Sequence, residues 1–265
     1  MILSNCVLKG GDKVSHRKVT IKKVLLYLIG LFFLSLGVSF SIQADLGVSP
    51  VSSLAYAFSL SFHFSVGLMT VVTNIIFIIT QIILSRQFEL RDAIVQLIVA
   101  FLFGFFIDIT LLLLQLFPTP ETLVMKFVFL LCSFIIIPIG LLFYFTPQFP
   151  LMPYDQLTHV ISETFKLKLS KAKIIGDLLN VVIAAIVCLV FVQSLGSVGI
   201  GTLLAAYFVG KNLGLIAHHF REYLLLWLND EENIFSKTMI DNIKKKASEK
   251  KREEVYLKQA SNTLK

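Results

Sequence analysis

Charge is what this sequence has least of. Only 15% of its 265 residues are Asp, Glu, Lys or Arg, against about 25% in a soluble domain. Cysteine is scarce too. Cys6, Cys132 and Cys188 show neither CxxC nor metal-ligand spacing, which argues against a zinc module or dithiol redox chemistry. Two of them fall in apolar runs, where a thiol packs as a small hydrophobe. There is no HExxH, no phosphate loop and no Ser-His-Asp order at a credible turn, so nothing supports an enzyme. Residues 1–20 lack the apolar core of a signal peptide, and no small-residue cleavage site follows the first long apolar run. No cofactor is expected.

What is present is apolar. The chain is 56% hydrophobic, with a mean hydropathy of +0.81. Apolar runs of 18 residues or more recur, and such runs span bilayers. Six crossings are expected, at about 22–43, 65–85, 93–117, 124–146, 173–193 and 200–221. Two short apolar pieces stand apart, 50–62 and 153–165, each led by a proline, Pro50 or Pro153. Each is only about 20 Å long as a helix, too short for a hydrocarbon core of about 30 Å. They are half-helices entering the membrane or amphipathic helices lying on its surface.

The loop charges support this count. Arg17, Lys18, Lys22 and Lys23 precede the first crossing and place the N-terminus in the cytoplasm. If the short pieces do not cross, Arg86 and Arg91 also fall inside, as do Lys166, Lys168, Lys171 and Lys173, Arg221 and the Lys-rich tail. The connections "FPTPET" and "QSLGSVG", which hold no Lys or Arg, fall outside. The net charge of +7 therefore reads as topology and lipid contact, not as nucleic-acid binding. The expected organisation is a cytoplasmic basic N-terminus (1–21), two membrane repeats (22–117 and 124–221) and a charged cytoplasmic tail (222–265). Within the tail, 229–265 reads as a solvated segment or a frayed helix on anionic lipid. The expected location is the bacterial cytoplasmic membrane. A homo-oligomer is compatible with the sequence.

A shift of 103 residues lays the two halves on each other. Gly37 meets Gly140, Phe40 meets Phe143, Pro50 meets Pro153 and Ser59 meets Ser162; after a small gap, Asn74 meets Asn180 and Gly104 meets Gly210. Each half has the order long span, proline-led short piece, span, span. Three crossings per half make the second half inverted relative to the first. The expected fold is thus an all-α membrane protein: six transmembrane helices in two inverted three-span repeats, each with a short proline-led helix. Short elements in corresponding positions of inverted repeats point to a transporter's binding site. Their N-termini offer free N–H groups and partial positive charge, which suit an anionic group. Proline fits the first helical turn, and Ser49 fits the N-cap of the first piece. Asp45 has no acidic counterpart, since Gln148 stands opposite it, so the candidate site starts at Ser49 and Pro50 with their mates.

Ionisable residues inside a membrane cost about 2.5–3.5 kcal/mol and usually have a partner. Asp108, Asp177 and Lys211 are the candidates for coupling or gating, with either acid as the partner of Lys211 or the set as a structural ion pair. Asn74, Asn180, Asn212 and Gln96 are expected to hydrogen-bond between helices. His218 and His219 have no acidic or cysteine cluster beside them, so no metal site is expected.

Three motifs carry a resemblance: "ADLGVSP" at 44–50, "MPYDQL" at 152–157 and "GIGT" at 199–202, followed by Gly210. Over residues 22–220 the chain resembles the YczE/YyaS/YitT group of bacterial integral membrane proteins, and its shorter YczE-like branch most. The resemblance implies an aromatic or basic residue and an acid after each proline. Tyr154 and Asp155 fit; Val51 and Ser52 depart. It also implies an acid paired with a preceding basic residue, here Asp177 with Lys173. The group's activity is undefined. The expected function is a secondary transporter or permease for a small polar solute, with an anion favoured. Its site would be Ser49, Pro50, Met152, Pro153, Tyr154 and Asp155. The alternative is a non-transporting scaffold or accessory factor working through the cytoplasmic loops and tail.

Overall fold

The computed structural model describes residues 4–86 and 89–228, with side chains from Ile21 onward. Among the described residues every regular element is a helix. In chain order they are α1 (Ser4–Ala44), α2 (Pro50–Phe62), α3 (Val66–Ser85), α4 (Leu90–Gln115), α5 (Leu123–Phe145), α6 (Pro153–Thr164) and α7 (Leu169–Phe191), then α8 (Ile200–Leu228). Six are long and apolar enough to cross a membrane: the Ile21–Ala44 part of α1, and α3, α4, α5, α7 and α8. The two short pieces are α2 and α6. The protein is an all-α membrane protein with six candidate spans in the expected order. The last helix runs seven residues beyond the span read from the sequence, to Leu228. The tail segment 229–265 lies outside the described residues.

Leu25–Arg221 forms one compact unit, and the described residues on either side of it, 4–24 and 222–228, belong to another. Within the second, Lys22 Nζ lies 5.4 Å from the centre of the Trp227 ring. Both short helices and the spans packed on them belong to the first.

The short helices begin and end alike because their sequences punctuate the backbone alike. Pro50 and Pro153 each open the first turn, where a missing N–H costs nothing. The residues before them, Ser49 (φ −58°, ψ 149°) and Met152 (φ −60°, ψ 152°), share one extended conformation. A left-handed residue follows each preceding span, Asp45 (φ 51°) after α1 and Gln148 (φ 57°) in the turn after α5. One also follows each short helix, His63 (φ 57°) and Lys166 (φ 52°). Ser59 Oγ donates to the Phe64 carbonyl at 2.8 Å, and Ser162 Oγ to the Leu167 carbonyl at 2.8 Å. All of these pairs stand at the same shift of 103 residues.

Packing follows the same pattern. α2 lies against α3 and α7, and α6 lies against α7 and α3, so each short helix is wedged between spans rather than set apart from them. Leu54, Ala57, Phe77, Tyr154, Leu157, Ala184 and Cys188 form their shared core. A second core joins α1, α4 and α5 through Leu31, Leu34, Val38, Phe103, Ile107, Ile137 and Tyr144. There α1 and α5 approach at glycines: a Cβ on Gly37 would sit 2.8 Å from Ile137 N, and one on Gly140 would sit 2.8 Å from Leu34 Cα. Ile137 and Leu34 are themselves counterparts, so the crossing is reciprocal. Large apolar side chains such as Ile79, Ile98, Phe105, Leu131 and Ile183 point outward, which suits lipid and not water.

Candidate functional site

The turn that leads into α2 is built from two of the sequence motifs. Gly47 takes φ 99°, a conformation that favours glycine. It packs on the "GIGT" segment so closely that a Cβ there would lie 2.7 Å from Thr202 Oγ1 and 2.8 Å from Gly199 Cα. Gly201 N donates to the Leu46 carbonyl at 2.7 Å, and Val48 N to the Ser197 carbonyl at 3.2 Å. The glycines of both motifs therefore serve one backbone joint.

The turn that leads into α6 is pinned by side chains instead. The Tyr27 hydroxyl donates to the Pro150 carbonyl at 2.9 Å. Met152 N donates to the Tyr144 hydroxyl, and the two tyrosine rings lie 5.3 Å apart. From α3, Gln81 Nε2 donates to the Pro153 carbonyl at 2.7 Å.

The first turns of α2 and α6 open onto a single cavity of about 160 Å³. Its polar end consists of Ser49 and Ser52 from α2, Asp155 from α6, and Lys173 and Asp177 from α7; Leu34, Val38, Phe103, Ile137, Leu141 and Val209 are among its apolar walls. Lys173 Nζ stands 3.9 Å from Asp155 Oδ1 and 3.9 Å from Asp177 Oδ1, and 4.8 Å from the centre of the Tyr154 ring. The Tyr154 hydroxyl donates to Asp177 Oδ1. The Asp155 side chain is 15% exposed and that of Lys173 46%. Burial pushes the Asp155 carboxyl above its ordinary value; the Lys173 charge opposes this and the Asp177 charge adds to it. Burial, with Asp177 beside it, pushes the Tyr154 hydroxyl far up, so it stays a donor.

Of the residues singled out in the sequence, Ser49, Pro50, Met152, Asp155 and Asp177 line this one cavity. Tyr154 stands behind it on Asp177, and Pro153 is buried at the helix start. Ser49 occupies the N-cap position without capping: its hydroxyl donates to Ser52 Oγ at 3.2 Å and bonds no backbone N–H. Asp108 and Lys211 lie elsewhere. Asp108 takes Gly67 N at 2.7 Å and Ser65 Oγ at 2.8 Å, so the first turn of α3 compensates it. Lys211 is exposed, 5.6 Å from the Tyr207 ring centre, and makes no ion pair among the described residues. The cation facing Asp177 is Lys173, one turn earlier on the same helix. The family resemblance implied this pair, and its i,i+4 spacing suits a contact on one helix; Ser52 and Gln81 had no such signal. Of the amides, Asn212 Nδ2 joins α8 to α5 by donating to the Phe134 carbonyl at 2.9 Å. Asn74 bonds its own helix, at the Thr70 carbonyl, and Asn180 Nδ2 and Gln96 Oε1 are buried without partners among the described residues.

Comparison with known proteins places the chain among relatives whose roles are undefined. The sequence pattern described as "Family of unknown function (DUF6198)" matches residues 21–218. The chain is 30% identical over 191 residues to "Uncharacterized protein YyaS" of Bacillus subtilis (strain 168), covering 72% of this chain and 90% of that protein. No solved structure matches.

Proposed function

The chain belongs to the DUF6198 family of unknown function, and we propose that it is a secondary transporter or permease for a small amphipathic solute. One observation carries this: two short proline-led helices, from corresponding places in the two halves, bring their first turns to one cavity whose polar end holds Asp155, Lys173 and Asp177. The matched backbone positions and the reciprocal Gly37–Gly140 crossing support two repeats, and three spans per half make them inverted. α2 and α6 then enter the membrane from opposite faces. Packed between spans, they have the surroundings that non-spanning backbone needs at membrane depth.

The cavity also bears on the solute. Its walls are mainly apolar, as in most small-molecule sites. Two carboxylates outnumber one ammonium at its polar end. That balance disfavours the anion suggested by the helix N-termini, and favours a cationic or neutral hydrogen-bonding head. Lys173 is equidistant from Asp155 on α6 and Asp177 on α7. A proton or a solute ammonium on one carboxylate releases Lys173 to the other, which changes what ties α6 to α7. The difference between those two pairings is the differential interaction that a gating change requires.

Uptake into proteoliposomes tests this, with a panel of small alkylamines, neutral amides and carboxylates. Expected is saturable flux of an amine or neutral member, lost at least tenfold in Asp155→Asn and in Lys173→Gln. Flux of carboxylates alone would overturn the solute class; no flux of any member, or undiminished flux in both variants, would overturn the transport reading. The scaffold alternative depends on a tail that lies mostly outside the described residues, and deleting residues 230–265 separates the two. Transport survives the deletion and scaffolding does not.

A further inference from the structure

A second cleft, of about 200 Å³, runs along α6 from Gln156 in its first turn to Glu163 near its end. Glu89 and Asp92 face it from the start of α4, and Glu163 from the end of α6. Among the described residues no Lys, Arg or His lines it, and these three carboxylates make no ion pair. Between them stand three amides, Gln81, Gln96 and Gln156. Gln96 is only 8% exposed, and its Oε1 is buried with no hydrogen-bond partner among the described residues. The neighbouring Gln81 cannot supply that proton with its committed N–H, which goes to the Pro153 carbonyl. A buried unmet acceptor needs a donor.

We propose that this cleft binds an organic polycation, a linear molecule with two or more protonated amines. The carboxylates and the Gln96 carbonyl all accept, so the ligand must donate, and an ammonium donates without accepting. The acids sit at two separate helix ends, which matches charges spaced along a flexible chain. Between them Ile78, Ala93 and Val160 offer apolar surface to its methylenes. A bare metal ion fits poorly, since among the described residues no three acidic, histidine or cysteine side chains gather closely enough to hold one. The loop charges put this cleft at the cytoplasmic face, where a polycation would reach it from inside the cell. The binding stands whether or not the first cavity transports.

Calorimetric titration of the full chain in neutral detergent, with spermidine as the probe, tests the assignment. Expected is saturable binding of one equivalent, weakened at least tenfold in Asp92→Asn, in Gln96→Leu and in the exposed Glu163→Gln, each compared at matched thermal stability. Asp155→Asn leaves it unchanged. Absence of saturable heat at millimolar spermidine overturns the proposal. So does equal affinity in all three variants, or loss of binding in Asp155→Asn, which would put spermidine in the first cavity. Magnesium binding as tightly as spermidine, and displacing it, overturns the ligand class.

Discussion

Helices α2 and α6 start with the same proline, the same extended residue before it and the same left-handed turn before that, yet α2 brings hydroxyls to the shared cavity and α6 brings a carboxylate. At the shift of 103 residues Ser52 corresponds to Asp155 and Val51 to Tyr154. Ser52 and Asp155 both line the cavity. The frame is thus repeated while its chemistry is not. Backbone punctuation by proline, serine and left-handed residues sets where each short helix lies. The side chain on its first turn sets what it does, and the two can differ without disturbing the frame.

The sharpest way to break the comparison is to break the frame where its halves meet. In Gly37→Leu the new side chain has no room, with Ile137 N 2.8 Å from the first added carbon. Backbone cannot yield as a flexible side chain does, so the cost exceeds the roughly 1–3 kcal/mol of ordinary overpacking. Expected is loss of the monodisperse folded species on gel filtration in detergent. Gly210→Leu is the control: a Cβ there meets nothing within 4 Å, and the protein should elute as before.

Next in size is the test of unequal chemistry. Asp155→Asn should cut flux at least tenfold, while Ser52→Ala should cut it less than about threefold, because one loses a charge and the other a neutral hydroxyl. Stability should not follow activity. The folded chain raises the Asp155 carboxyl above its ordinary value, so it holds that proton more tightly than the unfolded chain. The associated stability is full below the unfolded value of about 3.9 and is lost as pH rises through the folded value. Asn cannot ionise, so at pH 7.5 Asp155→Asn should melt no lower than the parent, and the difference should vanish toward pH 4. A lower melting temperature at pH 7.5 would show the carboxylate to be structural.

A smaller effect tests whether the asymmetry is needed. Ser52→Asp gives α2 the carboxylate that its mate carries and places a third acid in the same cavity. Like charges raise each other's carboxyl value. The variant should therefore lose a few degrees of melting temperature at pH 8 relative to the parent and recover them at pH 5. Equal melting at both pH values would mean that the two first turns do not sense each other across the cavity.

Much of this frame was legible in the sequence. Pro50 and Pro153 gave the starts of both short helices to the residue, because proline at a first turn is a local signal that tertiary packing rarely overrides. The lysines and arginines of the loops supported the count of six. The candidate site was legible in its helix starts and in Asp155 and Asp177, but not in Asp108 and Lys211. Hydropathy marks an acid in a span as costly without saying what compensates it. For Asp108 the compensation is the N-terminus of α3, 41 residues away from Asp108 at Gly67, and no spacing rule reports a contact of that range. For Asp177 the resemblance implied the partner, Lys173, whereas the span composition alone pointed to Lys211, because a lysine at a span boundary also serves topology. Gln81 escaped notice because its role, holding the Pro153 carbonyl, exists only once α3 and α6 are packed.

The smallest expected effect contrasts two serines that hold the same position on different helices. Ser49 precedes α2 and Ser65 precedes α3. Both occupy the N-cap position, and replacing an N-cap serine by alanine costs about 1 kcal/mol. Only Ser65 caps its helix, since its Oγ accepts Leu68 N at 3.1 Å and donates to Asp108 Oδ2 at 2.8 Å. Ser49 Oγ donates to the Ser52 side chain on the first turn of α2 and bonds no backbone N–H among the described residues, and both hydroxyls line the cavity. Ser65→Ala should therefore cost about 1 kcal/mol, and more if Asp108 loses its remaining hold on the turn. Ser49→Ala should cost under about 0.5 kcal/mol, the range of substitutions that break no such feature. Reversible unfolding in mixed detergent micelles measures both. If Ser49→Ala proved the costlier, its hydroxyl would be capping α2 after all, and the cavity would lose one of the two hydroxyls that distinguish α2 from α6.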